Sequence, residues 1–224
     1  MAHEDSLAFL QRVPLLASLS EEQLRTLAAS TVRRSFSKGK TIVAEGDPSQ
    51  AMYILLSGRA KVQRSDSEGK EVILAVIGPG EFFGEMSLVD DEPRSASVIT
   101  LESCDFLAIS KEPFTEMMVR STEVCMAVMR GLVARLREAD RKIETLALLD
   151  VYGRVARVLL DFSEDIDGEK IVRTKLPRQE IAKMIGASRE MVSRVMKGLE
   201  IDGYIVPLDK GRLALRDKIR GYLH

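Results

Sequence analysis

The densest polar chemistry in the sequence lies in Gly78-Pro-Gly-Glu-Phe-Phe-Gly-Glu-Met-Ser-Leu-Val-Asp-Asp-Glu-Pro-Arg-Ser-Ala-Ser-Val98. Gly84-Glu85-Met86 is expected to open a short helix, and a helix N-terminus attracts phosphate. The Glu85 carboxylate can accept hydrogen bonds from sugar hydroxyls. Arg94, nine residues later, can neutralise a phosphate, and Ser95 adds a hydroxyl and a backbone donor. A carboxylate for a sugar beside Arg-Ser for a phosphate makes a nucleotide-monophosphate site that needs no metal and performs no bond-breaking. A purely structural Glu85–Arg94 ion pair is the alternative reading of the same residues.

A second group of polar residues lies near the C-terminus. Residues 176–185 and 189–200 read as two short helices joined by Gly186-Ala187-Ser188, the spacing of a helix-turn-helix. Ile181, Ala182 and Ile185 face inward from the first helix. Ser188 is a natural N-cap for the second, on which Met191, Val192, Val195, Met196 and Leu199 are expected to form the buried side. Arg189, Glu190, Ser193, Arg194 and Lys197 remain outside. Arginine can pair bidentately with guanine, and a carboxylate can accept from the cytosine amino group. Such a trio on the first turns of a helix suits major-groove reading. A solvated charged face is the plain alternative. RNA is disfavoured, because no aromatic stacking platform is evident.

The elements that must position these groups follow from periodicity and turn signals. Residues 5–30 read as short helices, with Leu7, Leu10, Val13, Leu15 and Leu16 apolar. Ser18 or Ser20 can cap Glu21–Ala29, and Ser20-Glu-Glu-Gln23 fits a capping box. Short β-type runs follow at 41–43, 52–56, 60–62, 72–76, 96–100 and 105–109. Seven of the 15 glycines lie between 39 and 84, which predicts an antiparallel barrel or sandwich. One long helix is expected from Pro113 to Thr145. Met129, Leu136 and Ile143 form one heptad row, and Cys125, Leu132, Ala139 and Leu146 the other, the pattern of a two-stranded coiled coil. After a boundary at 148–154, residues 155–162 read as a helix, 165–170 as a polar turn, and 203–215 as a hairpin turning at Asp209-Lys210-Gly211.

Composition narrows the classes. The 224 residues suffice for two domains, and 45% hydrophobic with 30% charged residues is ordinary. No apolar run approaches the ~20 residues of a membrane span. The start, Met-Ala-His-Glu-Asp, lacks the basic head and apolar stretch of a secretory leader. Cys104 and Cys125 are too few for a disulfide framework and lack metal-site spacing, which suits a reducing cytoplasm. With histidine only at positions 3 and 224, haem ligation and nucleophile–base catalysis are poorly served, and we expect no enzyme, no cofactor and no metal. The formal net charge of −1 hides a split: residues 1–150 carry −5 and 151–224 carry +4, with +7 inside 170–220. Only the C-terminal module therefore suits a polyanion.

With these residues laid out, Gly84-Glu-Met-Ser-Leu88 and Pro93-Arg-Ser-Ala96 together look like the phosphate-binding cassette of cyclic-nucleotide-binding domains. Residues 176–200 resemble the winged helix-turn-helix of the cyclic-AMP receptor (catabolite activator) and fumarate–nitrate regulator superfamily of bacterial transcription regulators. The hinge Leu149-Asp150-Val151 with Gly153-Arg154 is similar to that family's as well. The resemblance covers nearly the whole chain and implies an α+β protein in three parts. These are a β-roll (jelly-roll) sensor at 1–112, a dimerisation helix at 113–147, and a hinge with winged helix-turn-helix at 148–224. It implies a cytoplasmic homodimer, a cyclic nucleotide as allosteric ligand, double-stranded DNA, and RNA polymerase as a further partner.

By position, Gly84, Glu85 and Met86 would meet the ribose, Arg94 and Ser95 the cyclic phosphate, and Arg135 would support the pocket. Arg178 and Gln179 would contact DNA phosphates. Ser188, Arg189, Glu190, Ser193, Arg194 and Lys197 would belong to the recognition helix, over a TGTGA-like half-site. One departure matters. Ala139 and Asp140 stand where the cyclic-AMP receptor has an adjacent Thr-Ser pair that reads adenine. The phosphate half of the site thus matches cyclic AMP, while the altered base half leaves room for cyclic di-GMP or another effector. A module acting only through protein contacts, as kinase regulatory subunits do, would lack residues 176–216. The iron–sulfur sensors of the superfamily need an N-terminal cysteine cluster that this sequence lacks.

Overall fold

The computed structural model describes residues 9–223 except 12, 14, 15, 17, 18 and 49 and the side chain of Lys210. Leu7, Leu15 and Ser18 of the expected N-terminal helices, and both histidines, lie outside the described residues. The chain forms two compact units, 1–135 and 136–224.

The first unit begins with α1 (Glu21–Ser30), whose expected capping box is present: the Ser20 hydroxyl accepts from the Gln23 backbone N–H, and the Gln23 side chain accepts from that of Ser20. Eight strands follow: β1 (Thr31–Phe36), β2 (Thr41–Val43), β3 (Ala51–Ser57), β4 (Ala60–Ser65), β5 (Glu71–Ile77), β6 (Phe82–Phe83), β7 (Ser97–Thr100) and β8 (Cys104–Ser110). They make two antiparallel four-stranded sheets, ordered β1-β8-β3-β6 and β2-β7-β4-β5. Six match the expected runs. β1 and β6 were not expected. β1 is the polar edge sequence Thr-Val-Arg-Arg-Ser-Phe with no buried residue, and β6 is only two residues long.

The two-residue alternation of β3 and β8 divides their side chains between two cores. Leu55, Cys104 and Phe106 join Phe83, Val98 and Ile77 in one. Met52, Ile54, Leu107 and Ile109 join Leu24, Leu27, Phe114, Val124 and Val128 in the other. β3 and β8 are therefore covered on both faces, which is why these two strands read as nearly continuous apolar runs.

The expected long helix is two helices, α2 (Met86–Val89) being the separate short one before them. α3 (Lys111–Arg120) ends at Ser121, which is extended at φ −138° and ψ 109°, and α4 (Thr122–Leu148) begins after it. The buried Ser121 hydroxyl accepts from the Val124 backbone N–H at 3.3 Å. A serine able to cap a new helix thus interrupts what apolar spacing alone reads as continuous. Pro113 lies in the first turn of α3, as expected.

In the second unit, α5 (Val151–Asp161) is capped by Asp150, whose carboxylate accepts from the Gly153 N–H at 2.8 Å. It is followed by β9 (Ser163–Ile166), β10 (Glu169–Val172), α6 (Arg178–Ile185), α7 (Arg189–Ile201), β11 (Ile205–Pro207) and β12 (Leu213–Leu215). The four strands form one sheet, ordered β11-β12-β10-β9. A single-turn 3₁₀ helix at Asp209–Gly211 makes the expected turn between β11 and β12, and another 3₁₀ helix spans Asp217–Leu223. The polar turn expected at 165–170 is the loop of a β9–β10 hairpin, with Asp167 and Gly168 both at positive φ. The core joins Val155, Ala156 and Leu159 to Ile181, Ala182, Ile185, Val192, Val195, Met196 and Leu199. Met191, expected on the buried side, is exposed, because it lies at the edge of the stripe made by 192, 195, 196 and 199. No helix among the described residues is long and apolar enough to cross a membrane.

Candidate functional site

Gly84, Glu85 and Arg94 come together in the first unit, with Arg135 reaching them from α4. Gly84 links β6 to α2 at φ +86°, where a side chain would be strained, and a Cβ built there would collide with the Arg94 guanidinium. Glu85 is the N-cap of the four-residue α2, and its carboxylate makes no capping bond. It points into the protein and is 0% exposed.

A fully buried carboxylate needs partners. Glu85 Oε1 pairs with the Arg135 guanidinium, which also donates to the Phe82 carbonyl and lies 4.8 Å above the Phe82 ring centroid. Glu85 Oε2, also buried, has no hydrogen-bond partner among the described residues. Burial pushes the Glu85 pKa above the ordinary 4.5, against the lowering effects of Arg135, its own backbone N–H and Arg94.

Arg94 is 6% exposed. Its guanidinium donates to the Gly84 carbonyl at 2.9 Å and to the Ala51 carbonyl. Burial lowers its pKa, while the charges of Tyr53, Glu85 and Asp47 raise it. A guanidinium has five N–H donors, and these two bonds occupy two. Glu85 and Arg94 therefore share one buried locale, but the ion pair that forms is Glu85–Arg135. Ser95 and Met86 are exposed beside them. Ala139 and Asp140 are exposed on α4 and belong to the second unit.

Phe82 was missed by sequence reasoning. Its ring carries Arg135, and a Cβ on Gly131 would come within 2.7 Å of that ring. The signal was the Phe82-Phe83 pair before Gly84, which sequence alone does not separate from ordinary core. Among the described residues, no cluster of histidine, cysteine, aspartate or glutamate could hold a metal.

In the second unit, α6 ends in Gly186 at φ 66°, the left-handed cap of the expected turn. The Ser188 hydroxyl accepts from the Met191 N–H at 3.1 Å and so caps α7. Ser188, Arg189, Glu190, Ser193, Arg194 and Lys197 are all exposed on one side of α7. Among the described residues, Arg189 and Arg194 make no ion pair. Glu190 is held below the ordinary carboxylate pKa by its own backbone N–H and the Ser188 hydroxyl. Arg178 is half-buried and Gln179 exposed at the start of α6. Arg154 of the hinge ties the end of α6 to α5, donating to the Leu149 carbonyl at 3.0 Å and the Ile185 carbonyl at 3.3 Å.

Comparison with known proteins gives two family matches, a cyclic nucleotide-binding domain over residues 33–121 and a Crp-like helix-turn-helix domain over 153–219. The chain is 35% identical to the cyclic AMP receptor protein of Thermus thermophilus over 204 residues, 91% of this chain and 93% of that one. It is also 35% identical to the cAMP-activated global transcriptional regulator Vfr of Pseudomonas aeruginosa, over 82% of this chain and 89% of that one. Among solved structures, the c-di-GMP responsive global regulator CLP of Xanthomonas campestris superposes with a TM-score of 0.75 at 28% identity, covering 88% of this chain and 99% of that one.

Proposed function

The chain belongs to the family of bacterial transcription regulators that join a cyclic-nucleotide-binding domain to a Crp-like helix-turn-helix, and we propose that it is a homodimer that binds cyclic AMP through Glu85 and Arg94 and reads a palindromic TGTGA-like DNA site. The observation that carries the effector half is Glu85 Oε2, a buried carboxylate oxygen with no partner among the described residues. A sugar hydroxyl donating to it would remove the cost of leaving it unpaired. Buried Arg94 supplies charge for the phosphate, next to a glycine that leaves room for its guanidinium.

On this reading the functional parts are the sensor at 1–112, the dimerisation segment at 113–147 and the DNA-binding part at 148–224. Self-association rests on α4. Leu136 is 61% exposed and Ile143 64% exposed in the single chain, and with Met129 they keep the seven-residue repeat of a coiled-coil seam. Paired chains would set their α7 helices one turn of DNA apart, about 34 Å, the docking general to dimeric helix-turn-helix proteins such as the catabolite activator. The effector acts by binding the DNA-competent state more tightly, and its leverage equals that difference in affinity. The reading places the protein in the cytoplasm, with RNA polymerase as its further partner.

A second reading keeps the architecture and changes the ligand to cyclic di-GMP. Two facts favour it: Ala139 and Asp140 cannot repeat the adenine contacts of a Thr-Ser pair, and the superposing CLP is described as c-di-GMP responsive.

Calorimetry with cyclic AMP, cyclic GMP and cyclic di-GMP on wild type and Arg94→Ala tests the proposal. Loss of charge-assisted bonds worth about 1.5–3 kcal/mol predicts affinity at least about tenfold weaker in the variant. Tight binding untouched by Arg94→Ala refutes the site.

A further inference from the structure

The second unit holds a cavity that the effector and DNA sites do not use. It is an open cleft of about 290 Å³, lined by Arg157 and Leu160 of α5, Ser163 of β9, Lys170 of β10, and Arg220 and Leu223 of the C-terminal 3₁₀ helix, close to the lower end of small-ligand pockets at ~300 Å³. Three cationic side chains from three separate elements meet over two half-buried leucines at the edge of the core.

The charge there is only partly answered. Lys170 Nζ lies 3.5 Å from Asp165 Oδ2. Asp161, one helical turn beyond Arg157, feels the Arg157 charge without an ion pair between them among the described residues. Arg157 Nε is buried and has no hydrogen-bond partner among the described residues. A buried donor left unpaired is costly, and a turn of the Arg157 side chain toward an acceptor in the cleft would relieve it.

We propose that this cavity is a binding site for a small organic phosphate, its phosphate held by Arg157, Lys170 and Arg220 and its apolar part lying on Leu160 and Leu223. Three cations against Asp161 and Asp165 leave an excess positive charge that suits an anion. Planar guanidinium groups favour phosphate geometry. The leucines argue for a ligand carrying an apolar body: a DNA phosphate projects from a polar strand and gains nothing from an apolar floor. The inference does not depend on which effector occupies the first unit.

The probes are phenyl phosphate and inorganic phosphate, titrated into the isotope-labelled full-length protein and followed by backbone amide NMR. The expected result is movement of the Ser163, Lys170 and Gly221 amides at about millimolar phenyl phosphate and only at higher inorganic phosphate. Arg220→Gln, at an exposed position where folding is not at risk, should weaken the response about tenfold, one charge-assisted hydrogen bond's worth. Arg94→Gln separates this site from the cassette and should leave the response in place. No movement of those amides overturns the proposal, as does movement confined to residues 84–95. Equal response to both probes overturns the apolar half. An Arg220→Gln variant that loses DNA affinity while wild type ignores phenyl phosphate reassigns the cations to the DNA backbone and also overturns it.

Discussion

Arg135→Leu isolates the ion pair that joins α4 to the cassette. Leucine keeps apolar contact with Phe82 and removes the charge facing Glu85. Removing one partner of a buried ion pair costs about 3–5 kcal/mol when both charges are enclosed. Glu85 is wholly enclosed, but the Arg135 side chain is 38% exposed and partly screened by water. The expected loss is therefore nearer 2 kcal/mol, or roughly 8 °C in the melting temperature of the first unit. The loss must also depend on pH. Burial already holds the Glu85 pKa above 4.5, and without Arg135 it rises further. A carboxyl with a raised folded pKa binds its proton more tightly when folded. Its destabilisation is complete above that folded pKa and fades as pH falls through it toward the unfolded value. The deficit of Arg135→Leu relative to wild type should thus be largest near neutral pH and shrink toward pH 4.5. Calorimetric melts of wild type, Arg135→Leu, Glu85→Gln and the double variant across this range provide the measurement. If Arg135→Leu costs as much in the Glu85→Gln background as in wild type, or costs the same at every pH, the pair is not coupled and the reasoning fails.

Gly84→Ala forces an L side chain into φ +86° and into the Arg94 guanidinium; effector affinity should fall at least tenfold while residues 188–197 are untouched, as calorimetry on the variant will register. Arg189→Ala and Arg194→Ala should each reduce discrimination between a palindromic TGTGA probe and random DNA by about 1–3 kcal/mol in gel shifts. Equal loss on both probes would assign these arginines to phosphates instead. Leu136→Lys with Ile143→Lys places charge on the exposed apolar row of α4, and on the proposed reading sedimentation should show a dimer for wild type and a monomer for the variant. A wild type that sediments as a monomer at the same concentration removes the basis for that seam.

Most of the architecture was legible because its signals are local. The capping box at Ser20, the glycine turns between short strands, and the Gly186–Ser188 turn with its left-handed residue are each set within a few residues, and each was read from types and spacing. What was misread depends on partners distant in the chain. β1 is a strand only because it pairs with β8, some seventy residues later, and its exposed polar sequence carries no burial pattern. β9 and β10 looked like a polar turn because only β10 has buried side chains, at Ile171 and Val172. The break at Ser121 is not marked by the apolar rows, which begin only at Cys125, beyond it. At the cassette, residue identities marked Glu85 and Arg94, but the choice of Arg135 over Arg94 as the partner of Glu85 is made by the packing of α4 and Phe82, which no short motif encodes.

On the proposed reading, affinity and selectivity fall to different residues. On that reading Glu85 and Arg94 would address a sugar hydroxyl and a phosphate, groups common to every candidate effector, so they would set how tightly a cyclic nucleotide binds and say little about which one. Discrimination falls to whatever meets the base, which on the proposed reading is Ala139 and Asp140. Alanine offers nothing polar, and an ionised aspartate only accepts. Guanine presents two adjacent donors, N1–H and the 2-amino group, to which one carboxylate can answer twice. Adenine presents one amino donor beside a ring nitrogen that a carboxylate repels. Similarity to a cAMP-activated relative and the aspartate at 140 therefore pull in different directions. In the calorimetric series, the absolute affinity reports on residues 85 and 94, and the ratio of adenine to guanine nucleotide affinities reports on residues 139 and 140.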